Sequence, residues 1–343
     1  MAPAPTALHD FFKTLGADFH NLHGAIVPLR VSGVGAEYQA CQEGFAIFDG
    51  GDRAWLEVSG SDAESFLHRL LTSNVAAAEM NQGQWSALLD GKGYWLVELL
   101  VFRVKNADGI EVIGLDMPLS QRDLLLKLLE KFHFGEDVAW QSRDFARLLV
   151  VGPGAQQAMQ NFEAPTLLQR PDRGAYCLEV LTSKIDAETM ATSLLEDGAV
   201  AGGLVALDIL RVEAGIPRFG TDFDETGILP ESEEWQRASL SKGCYAGQEV
   251  IAKVNTYGEA PRRLCRLQFE SGTTPLSGLK IETAEGKEVG KVTSWIWSPR
   301  TDAPVGLGTL KRRALREDAG DLFVVQENIR ISLKAEVREK VFG

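Results

Sequence analysis

Lys242-Gly243-Cys244-Tyr245-Ala246-Gly247-Gln248-Glu249 is the stretch from which the rest of the chain is best read. It sets one thiol between two glycines and directly ahead of a predicted helix, Gln248-Glu249-Val250-Ile251-Ala252-Lys253, with an acid in its first turn. Gly243 and Gly247 admit backbone angles or close approaches that a Cβ resists. A thiol just outside a helix N-terminus and beside Lys242 is expected to have its thiolate favoured. A lone free cysteine is more often a small buried hydrophobe. The octapeptide as a unit therefore carries the argument, not the thiol by itself.

Upstream of this stretch, residues 204–214 read as a helix closed by Gly215 and Pro217. Downstream of Gly258-Glu259-Ala260-Pro261 the pattern changes to short strands at 264–269, 279–283, 289–297, 305–311, 322–326 and 329–337, which predicts an all-β barrel-like domain over residues 262–343. Residues 1–258 have a mixed pattern. Residues 53–58 alternate like a strand and lead into Ser61-x-x-Glu64, a predicted capping box for a helix with Phe66, Leu67, Leu70 and Leu71 on one side. Residues 85–89 and 95–103, joined by Asp90-Gly91-Lys92-Gly93, predict a β-hairpin. Ser120-x-x-Asp123 is read as opening a helix with an apolar stripe of Leu124, Leu125, Leu128, Leu129 and Phe132. Strands at 147–151 and 177–181 and a helix around 187–195 complete an α+β region, expected to consist of two intertwined subdomains.

A chain of 343 residues exceeds the size at which one core stops growing, so more than one structural unit is expected. With 45% apolar and 24% charged residues it has the composition of an ordinary globular protein. The net charge of -13, with Lys and Arg scattered apart from short groups such as Lys311-Arg312-Arg313, argues against direct nucleic-acid binding. The first residues lack a basic segment followed by an apolar run, and the most apolar stretch, 95–102, is short and interrupted by Glu98; no membrane partner and a cytoplasmic location are expected. Cys41, Cys177, Cys244 and Cys265 are far apart, which argues against a disulfide framework, a local zinc site or a self-contained iron-sulfur cluster. No resident metal is expected.

The octapeptide resembles the signature of the YgfZ-type family, folate-binding relatives of the glycine-cleavage T protein (aminomethyltransferase), in which Lys-Gly-Cys, an aromatic and a variable residue precede Gly-Gln-Glu. Lys242, Gly243, Cys244, Tyr245, Gly247, Gln248 and Glu249 fill the pattern, with Ala246 in the variable slot. Further likenesses to the T-protein fold lie at Val58-Ser59-Gly60, at Leu71-Thr72-Ser73-Asn74-Val75, at 211–220 and at Val292-Thr293-Ser294. Together they span roughly residues 20–335. The resemblance implies a T-protein-like α+β fold with a C-terminal β-barrel, and tetrahydrofolate or a derivative as cofactor.

The same resemblance implies candidate site residues. Glu213 is similar in position to the family's pteridine-binding glutamate, a role suited to a carboxylate that accepts two adjacent N–H groups. Trp85, thirteen residues before Glu98, matches the T-protein spacing between a site aromatic and the catalytic aspartate. The departure lies at Gly93-Tyr94-Trp95-Leu96-Val97-Glu98, where the T protein has two adjacent aspartates at the positions of Val97 and Glu98. A lost acid and a lengthened one disturb a geometry that catalysis holds to about 0.5 Å, which argues against aminomethyl transfer. The leading expectation is accordingly a folate-binding accessory protein that uses Cys244 in assembly or repair of iron-sulfur enzymes, with iron-sulfur proteins or assembly factors as partners. The alternatives are a folate-dependent aminomethyl- or methyltransferase with Glu98 and Glu213 at its site, and a folate sensor or scaffold without chemistry.

Overall fold

The computed structural model describes residues 2–163, 166–258, 260–270, 278–316, 320–326 and 329–337. Its first large sheet is antiparallel throughout, in the order Gln84–Leu89, Trp95–Lys105, Glu111–Pro118, Arg53–Ser59, Ala139–Arg143. Strand alternation sorts its side chains by face. Ala54, Leu56, Val58, Val97, Leu99, Val101, Ile113, Leu115 and Met117 point to one side, where helices Ala63–Leu70 and Arg122–Phe132 cover them. Trp55, Leu100, Phe102 and Val112 point to the other, against Leu168 and Leu181 of a second sheet.

That second sheet runs Leu167–Arg170, Cys177–Thr182, Ala146–Val151, Ala46–Asp49, Val200–Ala201. Helix Lys184–Glu196 packs on one of its faces, and helices Val34–Glu43 and Leu204–Ala214 on the other. Where the two sheets meet, the apolar contact gives way to a buried ion network. Asp116 accepts hydrogen bonds from Arg53 (2.5 Å), Arg147 (2.5 Å) and Arg170 (3.0 Å), while Glu179 accepts from Arg147 (2.8 and 2.9 Å) and Arg170 (2.6 Å).

The C-terminal strands close into a six-stranded antiparallel barrel in the order Arg262–Phe269, Ala303–Lys311, Glu288–Ser298, Lys280–Thr283, Leu322–Gln326, Ile329–Val337, the last strand pairing with the first. Closure leaves no free sheet edge, and Cys265, Leu267, Ile281, Val292 and Val324 belong to its core. Residues 271–277, 317–319, 327–328 and 338–343 of the expected barrel domain lie outside the described residues. The barrel docks on helix Leu204–Ala214 through Leu264, Ile296 and Leu307.

Two expected helix starts differ. Ser61 does not cap helix Ala63–Leu70; its backbone N–H and its hydroxyl both donate to Asp137, at 3.1 and 2.8 Å. Residues 119–121 form a 3-10 turn, so the next helix begins at Arg122 without a side-chain cap. In both places a tertiary partner or a tighter turn takes the role that the local pattern assigned to a serine. The leucine stripe is also narrower than its spacing implied: Leu125 and Leu129 are buried, whereas Leu124 is 41% exposed.

Candidate functional site

Val97 and Glu98 sit on opposite faces of strand Trp95–Lys105. Val97 is sealed in the helix-covered core, and Glu98 points to the opposite face, into a cavity closed by the loops at 172–173 and 216–218 and by Arg211 and Arg237. The backbone N–H of Glu98 donates to Gln121 Oε1 at 2.9 Å, and Ala87 lies opposite in register. Its Oε1 accepts from Arg237 at 3.1 Å and lies 3.6 Å from Arg53, which leaves Oε2 for a ligand donor. Trp85, on the neighbouring strand, borders the same cavity, with the Arg237 guanidinium 4.3 Å from its ring centroid. Arg237 is itself fixed by Ser86 O, Leu99 O and Glu234, so it positions the aromatic wall and the acid together.

This cavity, about 30 Å³ in volume and open to solvent, is strongly cationic: Arg53, Arg173, Arg211, Arg218 and Arg237 line it against Asp52, Glu98 and Asp172. Asp52 and Asp172 are held as carboxylates. Burial alone would raise Asp52, but His23 and Arg173 keep it well below its ordinary range; Arg170 and Arg173 outweigh burial in the same way at Asp172. Burial, and then the adjacent Arg211, lower Arg218, a combination that a bound anion relieves. Arg173 has the clearest unmet demand. Its Nε and Nη2 are buried without a hydrogen-bond partner, the nearest carboxylates lying at 3.8 Å (Asp172) and 3.9 Å (Asp52). Buried donors of this kind call for an acceptor.

Glu213 is not part of this cavity. Its Oε2 accepts from Tyr38 Oη at 2.9 Å and its Oε1 from Ser298 Oγ, joining helix Leu204–Ala214 to the barrel, and burial together with this carboxylate pushes Tyr38 up to about 12. The reason is helical geometry: residues two apart do not share a face, and it is Arg211, not Glu213, that faces the cavity. Arg211 donates to Asp222 (2.8 Å) and Ser294 Oγ (2.9 Å), and Asp222 in turn accepts from Thr293 and Ser294 of the barrel. Arg53, Arg173, Arg218, Arg237, His23 and Asp52 were not singled out from sequence; scattered arginines in a net-acidic chain give no local signal.

The octapeptide forms a separate feature. Cys244 is exposed and does not line the cavity of Trp85 and Glu98. Lys242 is not turned toward the thiol. Its ammonium donates to the carbonyls of His68, Leu71 and Ser73, closing the C-terminal end of helix Ala63–Leu70, and burial lowers it to about 8. Tyr245 is buried beneath it, 5.0 Å from Nζ to ring centroid. Gly247, at φ 81°, caps helix Gln248–Tyr257, and a Cβ there would come within 2.9 Å of Asp90 O and Gly93 Cα. Gly243 meets open space, so only one of the two glycines is required by a close approach. Gln248 and Glu249 open the helix as expected. Cys41, Cys177 and Cys265 are buried, and burial raises all three thiols, Cys41 and Cys265 to about 12. Among the described residues no three His, Cys, Asp or Glu are grouped to hold a metal ion, and no helix is long and apolar enough to cross a membrane.

The crystal structure of glycine cleavage system aminomethyltransferase T from Bartonella henselae superposes with a TM-score of 0.88, covering 99% of this chain and 98% of that one at 21% identity, and so shares the fold. An aminomethyltransferase of Saccharopolyspora erythraea is 26% identical, covering 91% of each chain. One of Staphylococcus saprophyticus is 24% identical over 98% of this chain and 97% of its own. A chloroplastic putative transferase of Arabidopsis thaliana is 26% identical over 95% of this chain and 78% of its own. Residues 8–170 match the GCVT N-terminal domain, and residues 262–342 match the glycine cleavage T-protein C-terminal barrel domain. With both of those domains on one polypeptide, the chain is a relative of the glycine-cleavage T protein.

Proposed function

We propose that the protein binds a reduced folate, tetrahydrofolate or a derivative, in the cavity of Trp85 and Glu98 and acts in folate-linked transfer of an aminomethyl or methyl group. The observation that carries this reading is the convergence of Trp85, Glu98 and five arginines on one solvent-open cavity. A pterin is flat and apolar on its faces and presents N–H donors on its edge, which suits an aromatic wall beside a carboxylate with one free oxygen. The carboxylates of a folate tail suit Arg173 and Arg218. The cofactor supplies the one-carbon acceptor; Arg53 and Arg237 hold Glu98 in place, and Glu98 orients the reacting end. The absent aspartate at position 97 is no obstacle, because that side chain points into the core.

Calorimetry with tetrahydrofolate tests this directly. Glu98→Gln is expected to cost about 1.5–3 kcal/mol of binding, the scale of hydrogen bonds to a charge, while Glu213→Gln, whose carboxylate serves Tyr38 and Ser298, leaves the affinity unchanged. An unaltered affinity in Glu98→Gln removes Glu98 from the site. Transfer of an aminomethyl group from loaded carrier protein to tetrahydrofolate, lost in Glu98→Ala, completes the assignment.

A second reading rests on the octapeptide. Cys244 is exposed on a loop anchored by Lys242 and Gly247, whereas the other three thiols are buried. That is the accessibility needed by a thiolate that transiently holds iron or sulfur for a partner enzyme. On this reading Cys244→Ser keeps folate affinity and fails to rescue a strain defective in iron-sulfur enzymes. Full rescue by the serine variant rejects it.

A further inference from the structure

Arg53 borders a second concavity, distinct from the folate cavity and sharing only that residue with it. This groove, about 290 Å³ in volume and open to solvent, has a one-sided charged lining: Arg53, Arg122, Arg143, Arg147 and Lys184 line it with a single acid, Asp144. Arg147 is the anchor. Its side chain is 3% exposed; Nε and Nη2 are engaged by Glu179 and Asp116, while Nη1 is buried without a partner. A buried arginine donor left unmet costs about 1–3 kcal/mol unless something accepts from it. At the rim, Arg122 and Arg143 engage Asp123 and Glu57 through Nε, at 3.1 and 3.0 Å, which leaves their terminal nitrogens for a guest. Lys184 is the first residue of helix Lys184–Glu196, so the positive end of that helix adds to the same field.

We propose that this groove is a second ligand site, for a small oxyanion-bearing molecule, with a phosphate or carboxylate group held by Arg147 and closed in by Arg143, Arg122 and Lys184. The site adjoins the folate cavity through Arg53, whose guanidinium also pairs with Glu98. A guest there lies one side chain away from the acid of the first site.

Replacing Arg147 endangers the fold, because it holds Glu179 and Asp116, so the rim residues carry the test. The full chain is titrated calorimetrically with sodium phosphate and, separately, with sodium succinate, each against sodium chloride at matched ionic strength. Saturable binding of one of them is expected; phosphate alone marks a phosphorylated guest, succinate alone a carboxylate. The double variant Arg143→Gln/Lys184→Gln is expected to weaken it about tenfold or more, the loss of at least one charge-assisted contact, while binding tetrahydrofolate like the parent. No saturable binding of either anion, or binding that survives the double variant unchanged, overturns the proposal. Neither result touches the folate reading, which is measured by its own titration.

Discussion

At positions 97 and 98 one strand gives two neighbouring residues opposite fates. Glu98 is held by Arg53 and Arg237 beside Trp85, while Val97 is packed among Leu99, Leu115 and Leu125 under the two helices. An aspartate restored at 97 would not join Glu98. It would place a carboxyl group among hydrocarbon without a partner, and Val97→Asp is expected to lower stability by about 4 kcal/mol or more. Urea unfolding measures this; a variant as stable as the parent would mean that the side chain finds solvent or the cavity. The acid pattern at 97–98 is thus readable in sequence as a departure from the T protein, but its meaning depends on which face each side chain takes. The arginines of the cavity were harder to see for the same reason. Arg53, Arg173, Arg237 and the pair Arg211 and Arg218 come from separate stretches of the chain, and only the folded chain brings them together.

Elements were legible where the signal is local and failed where a distant partner intervenes. The hairpin around Asp90–Gly93, the helix closed by Gly215 and all six barrel strands follow from alternation, helical period and turn residues. The Ser61 cap failed because Asp137, remote in sequence, claims its side chain, and the Ser120 cap because residues 119–121 tighten into a 3-10 turn. Helix Leu204–Ala214 shows the limit most clearly: its span was readable and Glu213 was its site candidate, yet it is Arg211 that faces the cavity once the helix is placed between the second sheet and the barrel. The octapeptide is a similar case at the level of glycine. Gly247→Ala forces a Cβ into the Asp90–Gly93 turn at a left-handed φ and is expected to cost about 1–3 kcal/mol. Gly243→Ala, with open space around it, should stay within about 0.5 kcal/mol of the parent. Denaturant midpoints of the two variants give the comparison, and equal losses would contradict the docking of the helix start on the hairpin.

The whole molecule depends on how its two sheets are joined, since the folate cavity and the anion groove both open beside that junction. Half of it is apolar, from Trp55, Phe102, Leu168 and Leu181; the other half is the network of Asp116 and Glu179 with Arg53, Arg147 and Arg170. Asp116 is buried, and although burial alone would raise it, Arg170, Arg53 and Arg147 hold its carboxyl far below the ordinary range. The sign of the pH dependence follows. In the unfolded chain Asp116 takes up its proton near its ordinary value, about 3.9, whereas in the folded chain it remains ionised to lower pH. Its contribution is therefore fully present above that value and is lost as pH falls from there through the depressed folded value. Asp116→Asn keeps the shape and removes the charge, leaving three buried guanidinium groups short of a counter-ion. The expected loss at neutral pH is about 3–5 kcal/mol, the scale for breaking a buried pair. Below about pH 4 the gap to the parent should narrow, because the parent is then losing the same interaction. Urea unfolding of parent and variant between pH 7 and pH 3 measures both quantities. A gap that stays constant across that range would assign Asp116 a role in shape alone and place the cohesion of the two sheets in the apolar half of their contact.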